Sequence, residues 1–303
     1  MITWIIGRGL LGSAVSRRAG HQFDAGPIPW TDPARAQRVL HERAREFPGA
    51  TSGEAWRVVW SAGAATTSTD EEATARELEL LGALVHGLRS ALPSGPGVFF
   101  LTSSAGGVYA GATHPPFDAS TPPAPISAYG RLKVAQEELV TEVLSPVCPV
   151  VIGRLSNLYG PGQDLGKLQG LISRLALSAV TRQPTNVFVP LDTIRDYIYV
   201  DDAAAVIDAH LTRVIDGEVS SDGPEIIGSG DGTTVGQLIG TMNQIAKRKV
   251  PVALGTHASS AAQAPDLRLR PTLTSPHPTA LPVGVKRVYL DILERVQRRS
   301  LAG

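Results

Sequence analysis

"ITWIIGRGLLG" (residues 2–12) carries the decision about the fold. The apolar run at 2–6 has the length and composition of a buried parallel strand. Gly7, Gly9 and Gly12 follow at once in Gly-x-Gly-x-x-Gly spacing, and a helical pattern begins near residue 10. The first glycine permits a tight turn, the second lets backbone approach a pyrophosphate, and the third allows the helix to pack close on the strand. Helix amides then face the anion. Arg8, Leu10 and Leu11 complete the loop that would carry a dinucleotide; a plain glycine turn is the competing reading.

Outward from this stretch, short apolar runs alternate with longer helical patterns, the mark of a parallel sheet covered by helices. Strands are expected at 27–30 ("PIPW", weak), 57–63 ("RVVWSAG"), 97–104 ("GVFFLTSS") and 148–155 ("CPVVIGRL"). "DPARAQRVLHERAREF" places a proline suited to a first helical turn. A long helix is expected over 70–92, with Thr69 and Glu72 spaced as a capping box and Leu78, Leu81, Val85, Leu88 and Leu92 at helical spacing. The second half mixes helical patterns at 166–181, 202–215 and 233–248 with irregular stretches. The expected class is α/β: a Rossmann-like doubly wound sheet over 1–158, with interleaved segments near 184–202, and a smaller C-terminal substrate lobe over 159–303.

Bulk composition narrows the partners. Lys plus Arg and Asp plus Glu number 28 each, so no net field favours nucleic acid or an anionic membrane. Cys148 is the single cysteine, which excludes an intrachain disulfide, and no Cys/His spacing resembles a metal site. No signal peptide is read at the N-terminus, and no apolar run approaches a membrane span. The expectation is a soluble, cytoplasmic protein whose partners are small molecules or a second copy of itself.

Further motifs appear in order: "LTSSAGGVYAG" (101–111) at a strand end, "YGRLK" (129–133), "GRLSNLYGPGQ" (153–163) and "IRDYIYVDDAAAV" (194–206). Over about residues 2 to 230 the series resembles the extended short-chain dehydrogenase/reductase family, specifically its NAD-dependent epimerase/dehydratase group acting on nucleotide sugars. The resemblance implies that Tyr129 exchanges a proton with a substrate hydroxyl. A tyrosine of ordinary pKa near 10 is a poor base at neutral pH, and a neighbouring ammonium, Lys133, favours the phenolate. Lys133 would also hold the nicotinamide ribose. Ser104 would hydrogen-bond the same substrate oxygen, with Ser103 as the alternative. Asn157 would contact the glycosyl or phosphate portion. Arg195 would meet the diphosphate through its planar fork, although an ion pair with Asp196 is an equal reading. Asp201 and Asp202 read as N-caps.

Two departures from the family pattern stand out. Only one helix separates the second strand from "RVVWSAG", so the sheet is expected to lack one strand-helix unit, leaving adenine to groups around Ala62 and Gly63. The cofactor's phosphate preference is also mixed. Asp32, 20 residues beyond Gly12, suits the ribose hydroxyls of NAD, whereas Arg8 and Arg35 suit the extra phosphate of NADP. Ala105, Gly106 and Gly107 stand where family dehydratases carry proton-transferring acids, which disfavours dehydration. Three readings remain: an NAD(P)-dependent nucleotide-sugar epimerase, a reductase of a keto-sugar or other carbonyl, and a non-catalytic dinucleotide sensor. The leucine stripe and the Tyr129 helix together suggest a homodimer face, as in the family's dimers.

Overall fold

Ile2–Ile6 and Trp56–Trp60 are buried at every position, as strands covered on both faces must be. The computed structural model describes residues 1–66, 69–166, 170–255 and 264–301. In chain order it runs β1 (Ile2–Ile6), α1 (Leu10–Arg18), β2 (His21–Gln22), α2 (Pro33–Thr51), β3 (Trp56–Trp60), α3 (Glu71–Ser90), β4 (Gly97–Ser104), α4 (Ala105–Val108), α5 (Ala128–Leu144) and β5 (Val150–Leu155). It continues with β6 (Asn157–Tyr159), α6 (Leu171–Thr181), β7 (Thr185–Val187), β8 (Ile194–Tyr199), α7 (Val200–Ile215) and β9 (Pro224–Ile227). The chain ends with β10 (Gly232–Thr234), α8 (Val235–Ala246), β11 (Val252–Leu254), β12 (Asp266–Leu267) and α9 (Leu281–Leu301). No helix among the described residues is long and apolar enough to cross a membrane.

The main sheet has the order β2-β1-β3-β4-β5-β9, and every pairing in it is parallel. Trp4, Phe47, Trp56, Leu81, Leu84 and Val140 fill one face under α2, α3 and α5; Val59, Phe100, Ala203 and Ile207 fill the other under α1 and α7. Strand order reverses between β1 and β3. In an open parallel sheet the crevice beyond the strands' carboxyl ends at such a reversal is where ligands bind.

The second lobe holds the small sheet β10-β8-β12, with β6 on β8, and the pair β11-β7. Its core of Tyr159, Leu175, Leu238, Val285 and Val288 lies between α6, α8 and α9. A strap at 264–273 binds the lobes together: β12 pairs with β8, Leu269 bridges to Phe117, and Leu273 bridges to Ile227.

The shortened sheet is present: one helix joins β2 to β3, and among the described residues no strand lies outside β2. Other expectations need correction. The second strand is at His21–Gln22, not 27–30, because Pro27 and Pro29 have no amide hydrogen to give a ladder. Asp70, not Thr69, caps α3, accepting from the Ala73 amide, while the Thr69 hydroxyl accepts from Thr66. Tyr199 precedes α7, so Asp201 and Asp202 sit in its first turn. There their charges favour the helix dipole and bind Arg17 and Thr279. The segment that returns to the main sheet is α7–β9, whereas β8, within the 184–202 stretch, belongs to the smaller sheet.

Candidate active site

The glycine loop sits at the reversal point. Gly7 has φ of +87°, and a Cβ there would lie 2.3 Å from the Ala62 Cα; a Cβ at Gly12 would lie 1.9 Å from the Gly7 carbonyl oxygen. Both positions therefore require glycine. Gly9 faces open space, which leaves its backbone approachable by a ligand. Ser61 locks the adjoining loop in place, its hydroxyl donating to the Gly7 carbonyl at 2.6 Å. Ala62 and Gly63 thus border the glycine turn, and this cradle, open beside Gly9 and abutting the start of α1, fits a pyrophosphate.

Asp32 stands elsewhere. It caps α2 by accepting from the Arg35 amide at 3.1 Å, so the acid chosen for the ribose is a helix cap. Asp24 is the acid that follows β2 most closely. With Arg8, Gln22 and Phe23 it lines a cavity of about 340 Å³. Arg8 donates to the Gln22 side chain at 3.0 Å there.

α5 starts at Ser127, whose hydroxyl accepts from the Gly130 amide, and this cap directs Tyr129 and Lys133 towards the end of β4. Gly107 lies against the Tyr129 ring: a Cβ there would come within 3.0 Å of Cε1. Lys133 is buried, and its Nζ lies 5.7 Å from the Tyr129 ring centroid. The ammonium donates to Gln136 Oε1 at 2.9 Å and to the Thr102 carbonyl at 3.3 Å.

The two serines have different company. The buried Ser103 hydroxyl donates to Glu137 Oε1 at 2.5 Å. Ser104, half-buried, accepts from the Gly107 amide at 3.1 Å and caps α4. Among the described residues no hydrogen bond joins either hydroxyl to Tyr129. Glu137 also holds Arg154 at 2.6 Å, and Arg154 donates to the Tyr109 hydroxyl at 2.7 Å. Burial raises the Tyr109 pKa, against the pull of Arg154, so it stays a neutral phenol. This network bolts α5 to β4 and β5.

On the lobe side, Asn157 and Arg195 lie on the adjacent strands β6 and β8. Asn157 donates to the Asp196 carbonyl at 3.0 Å. The alternative reading of an Arg195–Asp196 ion pair does not hold: the Asp196 carboxylate accepts from the Ser229 and Gly230 amides at 2.9 and 2.7 Å. Arg195 is buried, donates only to the neighbouring Ile194 carbonyl at 2.8 Å, and among the described residues has no carboxylate within ion-pair distance. Burial lowers its pKa. A buried guanidinium without a bonded carboxylate is costly, and here Asp266, the carboxylate that offsets part of that cost, acts only from a distance.

Sequence reading missed Glu77, Gln136 and Leu267. Glu77 had a visible signal, because it falls on the core stripe of α3 with Thr74, Leu81, Leu84 and Leu88, all buried. Leu267 had none: β12 brings it from far along the chain to the edge of Gly106.

A parallel sheet with a glycine cradle at its reversal point, and a Tyr/Lys pair beside it, defines a Rossmann-type enzyme domain. The profile of the NAD dependent epimerase/dehydratase family matches residues 58–222, more than half of the 303. The chain belongs to that family, of the extended short-chain dehydrogenase/reductase type. Among curated relatives, the dTDP-L-rhamnose 4-epimerase of Burkholderia thailandensis is 33% identical over 117 residues, 38% of this chain and 31% of the relative. The dTDP-4-dehydro-6-deoxyglucose reductase of Escherichia coli is 28% identical over 144 residues, 46% of this chain and 43% of the relative. These matches span less than half the length of either relative. Among solved structures, the UDP-glucose 4-epimerase of Thermotoga maritima with UDP-glucose superposes with a TM-score of 0.77 at 19% identity, covering 98% of this chain and 100% of that one. RMD from Pseudomonas aeruginosa with NADPH gives 0.75 at 21% identity, covering 97% and 99%. At such identities the agreement is one of fold.

Proposed function

We propose that the chain is an NAD(P)-dependent nucleotide-sugar epimerase in which Tyr129 is the acid/base. The observation that carries this is the setting of Tyr129. It stands against Gly107, with Lys133 behind it and with Ala105, Gly106 and Gly107 beside it, none of which carries a proton-transferring side chain. A dinucleotide held at the Gly7–Gly12 cradle would supply transient hydride acceptance and return. Tyr129 takes the proton from the sugar hydroxyl and gives it back. Lys133 holds its charge near the phenolate, where opposite charge favours ionisation. Ser104 supports the substrate oxygen: as an acceptor from Gly107 it keeps its own hydroxyl proton to donate, whereas Ser103 has committed its proton to Glu137. Arg195 and Asn157 hold the diphosphate and glycosyl portions.

Arg8 beside Asp24 makes the ribose pocket compatible with either dinucleotide. Mass spectrometry of the nucleotide that co-purifies, followed by incubation with UDP-, GDP- and dTDP-sugars, tests the reading. Isomerisation without net cofactor change is expected, and Tyr129→Phe is expected to lower kcat by about 10²–10⁴-fold. Stoichiometric loss of reduced-cofactor absorbance would instead select a keto-sugar reductase, and activity unaffected by Tyr129→Phe would sink both. α3 and α5 pack side by side with half-buried Leu78, Leu80, Ala83, Ala135 and Leu139, supporting a homodimer through this pair; a monomer by light scattering at working concentration would exclude it.

A further inference from the structure

Lys133 is joined to the loop after β3 by a chain of buried polar groups that the proton transfer above does not require. Its Nζ donates to Gln136 Oε1 at 2.9 Å. The same amide turns its nitrogen to Glu77 Oε1 of α3 at 3.4 Å. The other Glu77 oxygen accepts from the amides of Ala64 and Ala65 at 3.0 and 3.1 Å. Gln136 is fully buried and Glu77 nearly so, and the approach is tight enough that a Cβ on Gly63 would lie 2.9 Å from Glu77 Oε1.

We infer that Glu77 and Gln136 are positioning residues that couple the Lys133 ammonium to the 61–65 loop bordering the glycine cradle. This inference rests on the acid/base reading of Tyr129 and Lys133. The amide sets the order of charges. Its carbonyl accepts from the ammonium and its NH2 donates to the carboxylate, so Glu77 orients Lys133 without forming an ion pair that would claim it. A direct carboxylate partner would hold the ammonium away from Tyr129 and weaken its pull on the phenol. The carboxylate also fixes two consecutive loop amides beside the Ala62–Gly7 contact, so a dinucleotide seated there and the lysine respond to one group. A buried polar chain of this kind orders its members only when each is satisfied.

Glu77→Gln keeps an oxygen for the Ala64 and Ala65 amides but sets an NH2 against that of Gln136, breaking the relay in the middle. Gln136→Glu gives Lys133 a carboxylate partner and places it against Glu77. The two variants are therefore expected to move the acidic limb of the kcat–pH profile in opposite directions. Removing an anion shifts it down by about half a pH unit and adding one shifts it up by about as much, roughly threefold each in proton affinity. NADH binding, followed by the cofactor's own fluorescence, is expected to weaken about three- to tenfold in Glu77→Gln through the loosened loop. A limb that shifts in the same direction in both variants, or in neither, with wild-type NADH affinity, would overturn the relay. Tyr129→Phe, run in parallel, separates the two ideas: undiminished turnover overturns the acid/base reading, while the NADH affinity of Glu77→Gln still tests the link to the loop. Thermal melting of each variant identifies any that fails to fold, and the other then carries the test.

Discussion

Arg154 and Arg195 are both buried, and they keep opposite company. Arg154 ends β5 with its fork on Glu137, its third nitrogen on Tyr109, and Ser103 completing the carboxylate. Arg195 on β8 donates to its own strand's carbonyl and, among the described residues, has no carboxylate in direct contact, with Asp266 acting on it only at a distance. A guanidinium whose every neighbour is satisfied belongs to the fold, whereas one with no bonded carboxylate contributes no such lock. The contrast places α5 in a rigid frame and leaves the proposed substrate side, β6 and β8, to be tested.

The largest effect that tests this contrast is on stability. Arg154→Met strands Glu137 in the interior, and loss of one partner of a buried pair costs about 3–5 kcal/mol. Urea unfolding should show that loss, while Arg154→Met with Glu137→Met should recover most of it, because apolar groups of similar volume replace such pairs at little cost. A single variant as stable as the wild type would place Arg154 among ligand groups instead.

Arg195→Met is expected to behave the other way. Stability should stay level or rise, since a charge without an anionic partner leaves the interior. Binding of UDP, measured by calorimetry, should weaken by about 1.5–3 kcal/mol, the range for hydrogen bonds to charged groups. An unchanged nucleotide affinity would show that Arg195 faces something else.

The same division explains what could be read from the residues alone. β1, the glycine loop and the Tyr129–Lys133 spacing are local patterns, and local periodicity fixes strand, turn and helix face. That Asn157 and Arg195 lie on strands was legible because each sits in a motif of its own strand; that β6 and β8 are neighbours was not. The pairing of Arg154 with Glu137 and Ser103 was not, since it depends on strand register between β4 and β5 and on the rotation of α5. Asp32 became a helix cap because an acid before proline suits that position, and only the path after β2 shows Asp24 lining the cavity with Arg8. Leu267 reaches the site through a strap that crosses two lobes, a placement that no periodicity encodes.

His210 stands between the two arginines in kind and sharpens the comparison most gently. It is buried on α7, with Glu225 of β9 at 3.7 Å, near enough to attract but beyond a hydrogen bond. Burial lowers its pKa from the ordinary 6.5, more than Glu225 raises it, so the folded protein holds the imidazole neutral where the unfolded chain protonates it. A depressed folded pKa contributes stability that is present above the unfolded value and lost as pH falls through it. Stability should therefore decline as the solution is acidified below about pH 6.5, and the Glu225 carboxylate limits that decline. His210→Gln should flatten that part of the urea-unfolding profile and leave the region above pH 7 unchanged. An equal decline in the variant would clear His210 of the acid sensitivity and leave it among the neutral packing residues of α7.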